Sequence, residues 1–133
     1  MRLTRSSSYA VRALAHLAGQ PGNQPLPSHA LARASGAPER FLLKTLKPLV
    51  DAGVLRSDRG PNGGYRLARP AKAIALLEVV EAVSGPIRGE APPAGDGSGA
   101  ALDRRLQAAC DAAARLTREQ LGKVTLAELA KAR

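Results

Sequence analysis

The sequence is poor in aromatic residues and nearly free of cysteine. Tryptophan is absent, and the aromatic set is Tyr9, Phe41 and Tyr65 in 133 residues. A core must therefore be built from leucine, valine, isoleucine and alanine, which suits packed helices. A lone Cys110 excludes an intramolecular disulfide framework and a four-cysteine metal site.

Long apolar stretches are also missing. No run of about 18 apolar residues occurs, so we expect no membrane span. Near the amino terminus, Arg12 and His16 interrupt the apolar residues. This argues against a signal peptide and predicts a cytoplasmic protein.

Acidic residues are scarce in the first half of the chain. Residues 1–70 hold eleven Lys/Arg against Glu39, Asp51 and Asp58, a balance of +8. Residues 71–133 hold nine Lys/Arg against eight acids, a balance of +1. The excess of positive charge in the first half favours a polyanionic partner there.

Capping and turn residues divide the chain into helices. Thr4 is a suitable N-cap for a helix over 4–18, and Ser28 for a short helix ended by Gly36. Pro38 suits the first position of a third helix, ended by Gly53, in which Pro48 should kink the last turn. Helical periodicity returns over 74–85 and 101–121, and a capping box precedes a final helix over 126–132.

The stretch "RSDRGPNGGYRL", residues 56–67, predicts a β-hairpin. Two short β-type pieces, "VLRS" and "YRLA", flank a glycine-rich tip at 58–63. We therefore predict a mainly α fold with a small β-hairpin wing. It divides into a winged helix-turn-helix domain (1–85), a flexible loop (86–100), and a dimerisation helix with a short C-terminal helix (101–133).

The helices before the hairpin form a helix-turn-helix pattern with "ASG" as the turn. In this motif the second helix enters the major groove of DNA by its amino end. We expect Glu39, Arg40 and Lys44 to face base edges and phosphates there. Arg40 can pair with a guanine edge or a phosphate, and Glu39 can accept from a cytosine amino group.

The hairpin is expected to reach over the DNA backbone. Gly60, Gly63 and Gly64 give it a narrow backbone. Arg59 at the tip suits the minor groove, where narrow A·T tracts concentrate negative potential. Arg56 and Arg66 are expected to clamp phosphates. A nucleotide phosphate loop is disfavoured because its Lys-Ser/Thr pair is missing.

The long helix is predicted to be a dimerisation surface. Apolar residues recur there at alternating steps of four and three, close to the 3.5-residue repeat of a coiled-coil seam. They are Leu102, Leu106, Ala109, Ala113 and Leu116.

Four segments of the sequence resemble the Rrf2 family of bacterial winged-helix transcription regulators, which includes the regulator of iron–sulfur cluster assembly and a nitric-oxide-sensing repressor. The segments are "MRLT…YAVRALAHLA", "SGAPERFLLKTLKPLVDAGVL", "RSDRGPNGGYRLARP" and "VTLAEL". The resemblance implies a homodimer, joined through the long helix and bound to a partly palindromic DNA operator. It also implies that phosphates are held by Arg2, Thr4, Tyr9 and Ser28, and that the wing comprises Arg59, Gly60, Pro61, Asn62, Gly63, Gly64 and Tyr65.

The chain departs from this family at the sensor. Cluster-binding members carry three close cysteines in the loop before the long helix, and here loop 86–100 has none. Some members add an acidic ligand just before the tyrosine of the first helix, where this chain has Ser8. One thiolate cannot hold a cluster alone, so we expect no cofactor and no metal site.

We therefore expect a DNA-binding transcriptional regulator, a homodimeric repressor without a cluster, and not an enzyme. Two alternatives for its control stay open. Cys110 could act as a redox-sensing thiol, although an inert apolar role beside the seam is the simpler interpretation. A small molecule or a partner protein could instead bind the dimer helix and loop 86–100.

Overall fold

The computed structural model describes residues 1–132. It contains six α-helices and a two-stranded antiparallel sheet. The helices are α1 (Arg5–Ala18), α2 (Ser28–Ser35), α3 (Glu39–Asp51), α4 (Leu76–Ser84), α5 (Ala100–Gly122) and α6 (Leu126–Lys131), and the strands are β1 (Leu55–Asp58) and β2 (Gly64–Leu67). Among these residues no helix is both long and apolar enough to cross a bilayer.

Helix α1 is central because it packs against α2, α3, α4 and α6. Its N-cap is Thr4, as predicted, whose hydroxyl accepts from the Ser7 amide at 3.0 Å. Small residues on its inner face, Ala10 and Ala13, let the neighbouring helices approach closely. The fully buried side chains around it are mostly leucines, among them Leu14, Leu31, Leu42, Leu46 and Leu49. The aliphatic core expected from the composition is therefore present.

Helices α2 and α3 end in the same way, each followed by a glycine with positive φ. Gly36 and Gly53 both take left-handed conformations, with φ of 75° and 76°. After α3 the Gly53 amide donates to Val50 and the Val54 amide to Leu49, each at 3.0 Å, which is a Schellman motif. The two glycines predicted as helix ends are confirmed.

Two predictions at the helix ends need correction. The N-cap of α2 is Pro27, so Ser28 is the first helical residue, not the cap. The Ser28 hydroxyl instead donates a hydrogen bond to Glu39 of α3. Pro38 is likewise the N-cap of α3 and not its first residue. Pro48 lies inside α3, which continues to Asp51, and the kink expected there stays a prediction.

The hairpin is present, with its strands displaced by one residue from the predicted pieces. Leu55 pairs with Leu67 and Asp58 with Gly64. A third segment, not predicted, joins the sheet: Leu26 forms an antiparallel bridge with Tyr65, through amide-to-carbonyl bonds of 2.9 and 2.8 Å. The wing is thus bonded on both sides of β2. The mainly α fold with a hairpin wing is confirmed.

The C-terminal part of the chain returns to the first. Ala75 and Thr125 form an antiparallel bridge, and Leu126 of α6 is buried in the core beside α1. Thr125 caps α6 by accepting from the Glu128 amide at 3.2 Å, which is the N-cap half of the predicted capping box. The division into 1–85, 86–100 and 101–133 stays a prediction, with α6 packed on the helices of its first unit.

Candidate nucleic-acid interface

Helix α3 presents one exposed face on the side opposite to the core. Leu42, Thr45, Leu46 and Leu49 are buried. Exposed side chains recur at positions three and four apart, which places them on one face of the helix. They are Arg40, Leu43, Lys44 and Lys47. Helix α3 can therefore offer these side chains to a groove without disturbing its packing.

The first turn of α3 is bonded to the start of α2. Ser28 donates its hydroxyl hydrogen to a carboxylate oxygen of Glu39, at 2.8 Å. Two residues predicted to contact DNA thus form a hydrogen bond with each other. A phosphate approaching Ser28 also meets the negative charge of Glu39. Their roles toward DNA stay predictions.

Tyr9 packs beside the same turn of α3. Its ring meets Phe41 edge to face, with centroids 5.6 Å apart and planes at 85°, a favoured aromatic geometry. Tyr9 is half-buried against the core. The ring therefore fixes the start of α3 relative to α1, whatever its hydroxyl binds.

The predicted phosphate contacts at the amino terminus differ in availability. Arg2 is exposed. Thr4 is engaged by the Ser7 amide and by the Ser84 hydroxyl, at 3.0 and 2.9 Å. Ser7 also contacts the Ser84 hydroxyl, at 2.6 Å. A trio of hydroxyls thus ties the start of α1 to the end of α4.

The wing needs glycine at three positions. A Cβ at Gly63 would collide with the carbonyl of Asp58, and one at Gly64 with the carbonyl of Leu26. Gly60 has open space around it but a φ of 107°, which residues other than glycine rarely adopt. The narrow backbone predicted for the tip is therefore present, and it extends to the third segment of the sheet.

The arginines of the wing are not equivalent. Asp58 lies between two of them, 3.0 Å from Arg66 and 3.5 Å from Arg56. Within the described chain, the exposed side chain of Arg59 makes no ion pair or hydrogen bond. Arg66, predicted as a phosphate clamp, is half-buried and stabilises the hairpin. Arg59 is the arginine best placed for a ligand.

The wing tip and the start of α2 face each other across an open cleft. The cleft has a volume of about 590 Å³. Its lining comes from the segment before α2, from α2 itself and from the wing: Gln24, Pro25, Pro27, His29, Pro61, Asn62 and Gly63. The Ser28–Glu39 bond links the start of α2, beside this cleft, to the start of α3, so we treat the exposed face of α3, the cleft and the wing tip together as one candidate surface. We call it the α3–wing surface.

The positive charge of the α3–wing surface is only partly neutralised. Each of its acids already has a partner: Glu39 binds Ser28, Asp51 pairs with Lys47 at 3.0 Å, and Asp58 holds the wing arginines. Arg40, Lys44 and Arg59 are exposed and make no such pair in the described chain. This arrangement suits an anionic backbone.

The sequence predictions missed several residues of this surface. Leu43, Gln24 and His29 belong to it, and Asp58 organises it. For Leu43 a signal exists, since it lies three residues after Arg40 and falls outside the apolar period of α3. For Gln24 no local signal exists, because its place depends on the bridge between Leu26 and Tyr65.

Two carboxyl groups away from this surface have lowered pKa values. Burial acts to raise the pKa of Glu78, but the Ala75 amide, the Arg69 hydrogen bond and the Arg69 charge hold it below its usual range. Arg69 lies 2.5 Å from Glu78. In loop 86–99, the Ser98 hydroxyl and amide lower the pKa of Asp96.

Helix α5 has one side that contacts its own chain and one that does not. Gln107 bonds Gly89 and Ala91 of the preceding loop, and Arg118 pairs with Glu81 of α4. The five predicted seam residues are all exposed. The leucines among them have exposed fractions of 61% for Leu102, 47% for Leu106 and 62% for Leu116.

The fold and the α3–wing surface define a winged helix-turn-helix protein. Residues 3–132 match the Rrf2 family, which is described as "Iron-dependent Transcriptional regulator". The chain belongs to the Rrf2 family, and the resemblance inferred from its motifs is confirmed. The family consists of transcriptional regulators and not of enzymes, as expected.

Similar proteins agree with this assignment. "Protein aau3" of Rhizobium meliloti is 47% identical over 81 residues, which are 61% of this chain and 52% of that protein. The HTH-type transcriptional regulator IscR of Vibrio campbellii is 36% identical over 83 residues, 62% of this chain and 49% of that protein. The chain thus spans about half the length of these curated relatives.

Among solved structures, CymR (YrzC), the global cysteine regulator of B. subtilis, superposes on the chain with a TM-score of 0.76. The two sequences are 24% identical, and the match covers 100% of this chain and 98% of CymR. At this identity the comparison shows the fold, which is shared from end to end.

The donor groups of the chain do not fit the iron that the family description implies. Cys110 is the single cysteine, and loop 86–99 has none. Within residues 1–132 no three His, Cys, Asp or Glu side chains cluster closely enough to hold a metal ion. The backbone of Gly89 lies directly against that of Cys110 and Asp111, so the loop packs closely on α5 beside the one thiol.

Proposed function

We propose that this chain is a sequence-specific DNA-binding transcriptional regulator that acts as a homodimeric repressor on a partly palindromic operator. Helix α3 enters the major groove, and the wing reaches the adjacent minor groove. A dimer of this kind represses by covering the promoter. DNA as the partner also places the protein in the cytoplasm.

One observation supports DNA binding most strongly. Arg40, Lys44 and Arg59 are exposed cations that make no ion pair among the described residues, and they lie on the second helix and the wing tip of a winged helix-turn-helix. The acids on that surface are already held by neighbouring groups of the chain. Over α3 and the hairpin, residues 39–67, six Lys/Arg stand against three acids, so the net charge is positive where groove and backbone contacts are made in this fold.

The exposed seam of α5 supports the homodimer. A self-complementary row of leucines and alanines, repeated on a second copy, buries apolar surface about a two-fold axis. The other side of α5 is engaged with the chain's own loop and α4. The two α3 helices of a dimer then meet two half-sites of an operator.

Control of the regulator does not use an iron–sulfur cluster in this proposal, since the donors are absent from loop 86–99. An effector that binds the dimer helix or the loop, whether a small molecule or a protein, is compatible with the fold. The thiol of Cys110, half-buried next to Gly89, remains an alternative sensor.

Selection of random duplex DNA by the purified protein tests the proposal. We expect enrichment of an inverted repeat whose half-sites lie about one helical turn, roughly 10 base pairs, apart. The double variant Arg40→Ala/Arg59→Ala should enrich nothing. The control Lys72→Ala removes an exposed charge outside the α3–wing surface and should select the same repeat. Equal retention of all duplexes by the wild type would contradict a sequence-specific regulator.

A further inference from the structure

Few side chains of the exposed face of α3 are free to read bases. Glu39 accepts from Ser28, and Lys47 pairs with Asp51. The remaining ones are Arg40, Leu43 and Lys44. Two of these carry a charge suited to guanine or phosphate. The third is a leucine with 44% of its surface exposed.

Leu43 faces away from the core that the rest of α3 helps to build. Its neighbours Leu42 and Leu46 are fully buried, with exposed fractions of 0% and 1%. A single exposed leucine is ordinary on a protein surface and needs no ligand. This leucine, however, lies three residues after Arg40 and directly before Lys44. Any DNA that reaches both cations also covers Leu43.

We propose that Leu43 contacts the C5-methyl group of a thymine in each half-site, next to the base read by Arg40. This inference rests on the proposed binding of α3 in the major groove. The thymine methyl is the apolar group that the major-groove edges of the bases present. A leucine has neither donor nor acceptor, so it matches that methyl and no polar edge.

The same chemistry disfavours other bases at this position. A cytosine amino group or a guanine oxygen covered by Leu43 would lose water without gaining a hydrogen bond. Discrimination at this position thus comes from apolar contact and from exclusion of polar edges. Arg40 supplies the hydrogen-bonded readout at the adjoining position.

Replacement of thymine by deoxyuridine isolates the methyl group, because the two bases differ in that group alone. The test uses the operator enriched by the wild type, with each thymine replaced in turn in both half-sites. We expect one symmetric position at which the wild type binds about three- to fivefold more weakly per half-site, the effect of one buried methyl. Other positions should change little.

Two variants assign the effect to Leu43. Leu43→Ala should bind the thymine and deoxyuridine operators equally. Lys44→Ala is the matched control on the same helix face: it should weaken binding to both operators and keep the difference between them. Since both side chains are exposed, neither variant should unfold the protein.

The outcomes separate this inference from the proposed function. If no sequence is enriched by the wild type, the proposed function fails and the inference fails with it. If an operator is enriched but no deoxyuridine position weakens binding, the inference alone is wrong. It is also wrong if Leu43→Ala retains the wild-type sensitivity to deoxyuridine.

Discussion

A single carboxylate, that of Asp58, divides the arginines of the wing into two kinds. Arg66 lies 3.0 Å from it and is partly buried, whereas Arg59 is exposed at the tip and makes no ion pair among the described residues. The sequence places both arginines beside the same glycine cluster and does not distinguish them. Their distinction depends on the pairing of the two strands, which sets Asp58 against Gly64 and Arg56 against Arg66.

Substitution of these two arginines should therefore give opposite results. Arg66→Ala should lower the free energy of unfolding by roughly 0.5–1 kcal/mol, since it removes a partly exposed ion pair. Arg59→Ala should leave stability unchanged, weaken binding chiefly at sites with an A·T-rich flank, and reduce the salt slope of the affinity by about 1.

Chemical denaturation and DNA titration at several salt concentrations measure both quantities. The contrary result would be an Arg66→Ala variant that unfolds at the same denaturant concentration as the wild type and yet binds DNA with a salt slope smaller by about 1. That result would show that Arg66, and not only Arg59, neutralises a phosphate. A uniform loss by Arg59→Ala on every duplex would contradict minor-groove readout.

At the scale of the elements, Arg69 joins the end of the wing to α4. Its guanidinium donates to the carbonyls of Gly53 and Ala73, at 3.3 and 3.0 Å, and to the carboxylate of Glu78. Glu78 in turn accepts from the Ala75 amide at 3.0 Å. This cluster fixes the segment after α3, the turn before α4 and α4 itself relative to one another.

This cluster should make part of the free energy of unfolding sensitive to acid. Because the pKa of Glu78 is lowered in the folded state, its contribution is fully present above the ordinary value of 4.5 and is lost as the pH falls through the folded value. Thermal unfolding followed at pH values on both sides of 4.5 should show a smaller acid loss for Glu78→Gln than for the wild type. Equal losses would place the acid sensitivity elsewhere.

Elements defined by local signals could be predicted from the sequence. Gly36 and Gly53 end their helices, Thr4 and Thr125 cap theirs, and the glycine cluster forms the hairpin. Contacts between distant segments could not be predicted. The bond between Ser28 and Glu39, the bridge between Leu26 and Tyr65 and the packing of α6 on α1 depend on how helices are placed in space. For this reason the sequence alone predicts Ser28 as a cap and gives no sign of the cleft beside the wing.

At the scale of the whole molecule, α5 is held at both ends and open along one side. Arg118 pairs with Glu81, the loop residues Gly89 and Ala91 bond Gln107, and α6 returns to α1 just after α5 ends. The exposed leucines therefore project from a supported helix. A second copy of the chain can pack on it without first ordering it.

A charge in the seam should prevent the proposed dimer from forming. Leu116→Glu should sediment as a monomer and bind a palindromic operator at least about tenfold more weakly, because linked half-sites act through a high effective concentration. Ala108→Glu adds the same charge at an exposed position outside the seam and should remain a dimer. Sedimentation equilibrium distinguishes them. A dimeric Leu116→Glu would mean that another surface joins the subunits.

The bridge between Leu26 and Tyr65 has a consequence for the architecture of the operator. β2 is bonded both to β1 and to the segment before α2, and Ser28 of α2 bonds Glu39 of α3, so the wing is tied to the helix-turn-helix. In the proposed binding mode, the distance between the bases read by α3 and the flank reached by Arg59 would therefore vary little. One base pair inserted between these two parts of a half-site would shift the flank by about 3.4 Å and rotate it about the duplex axis. Natural operators of this protein should thus vary in sequence far more readily than in spacing.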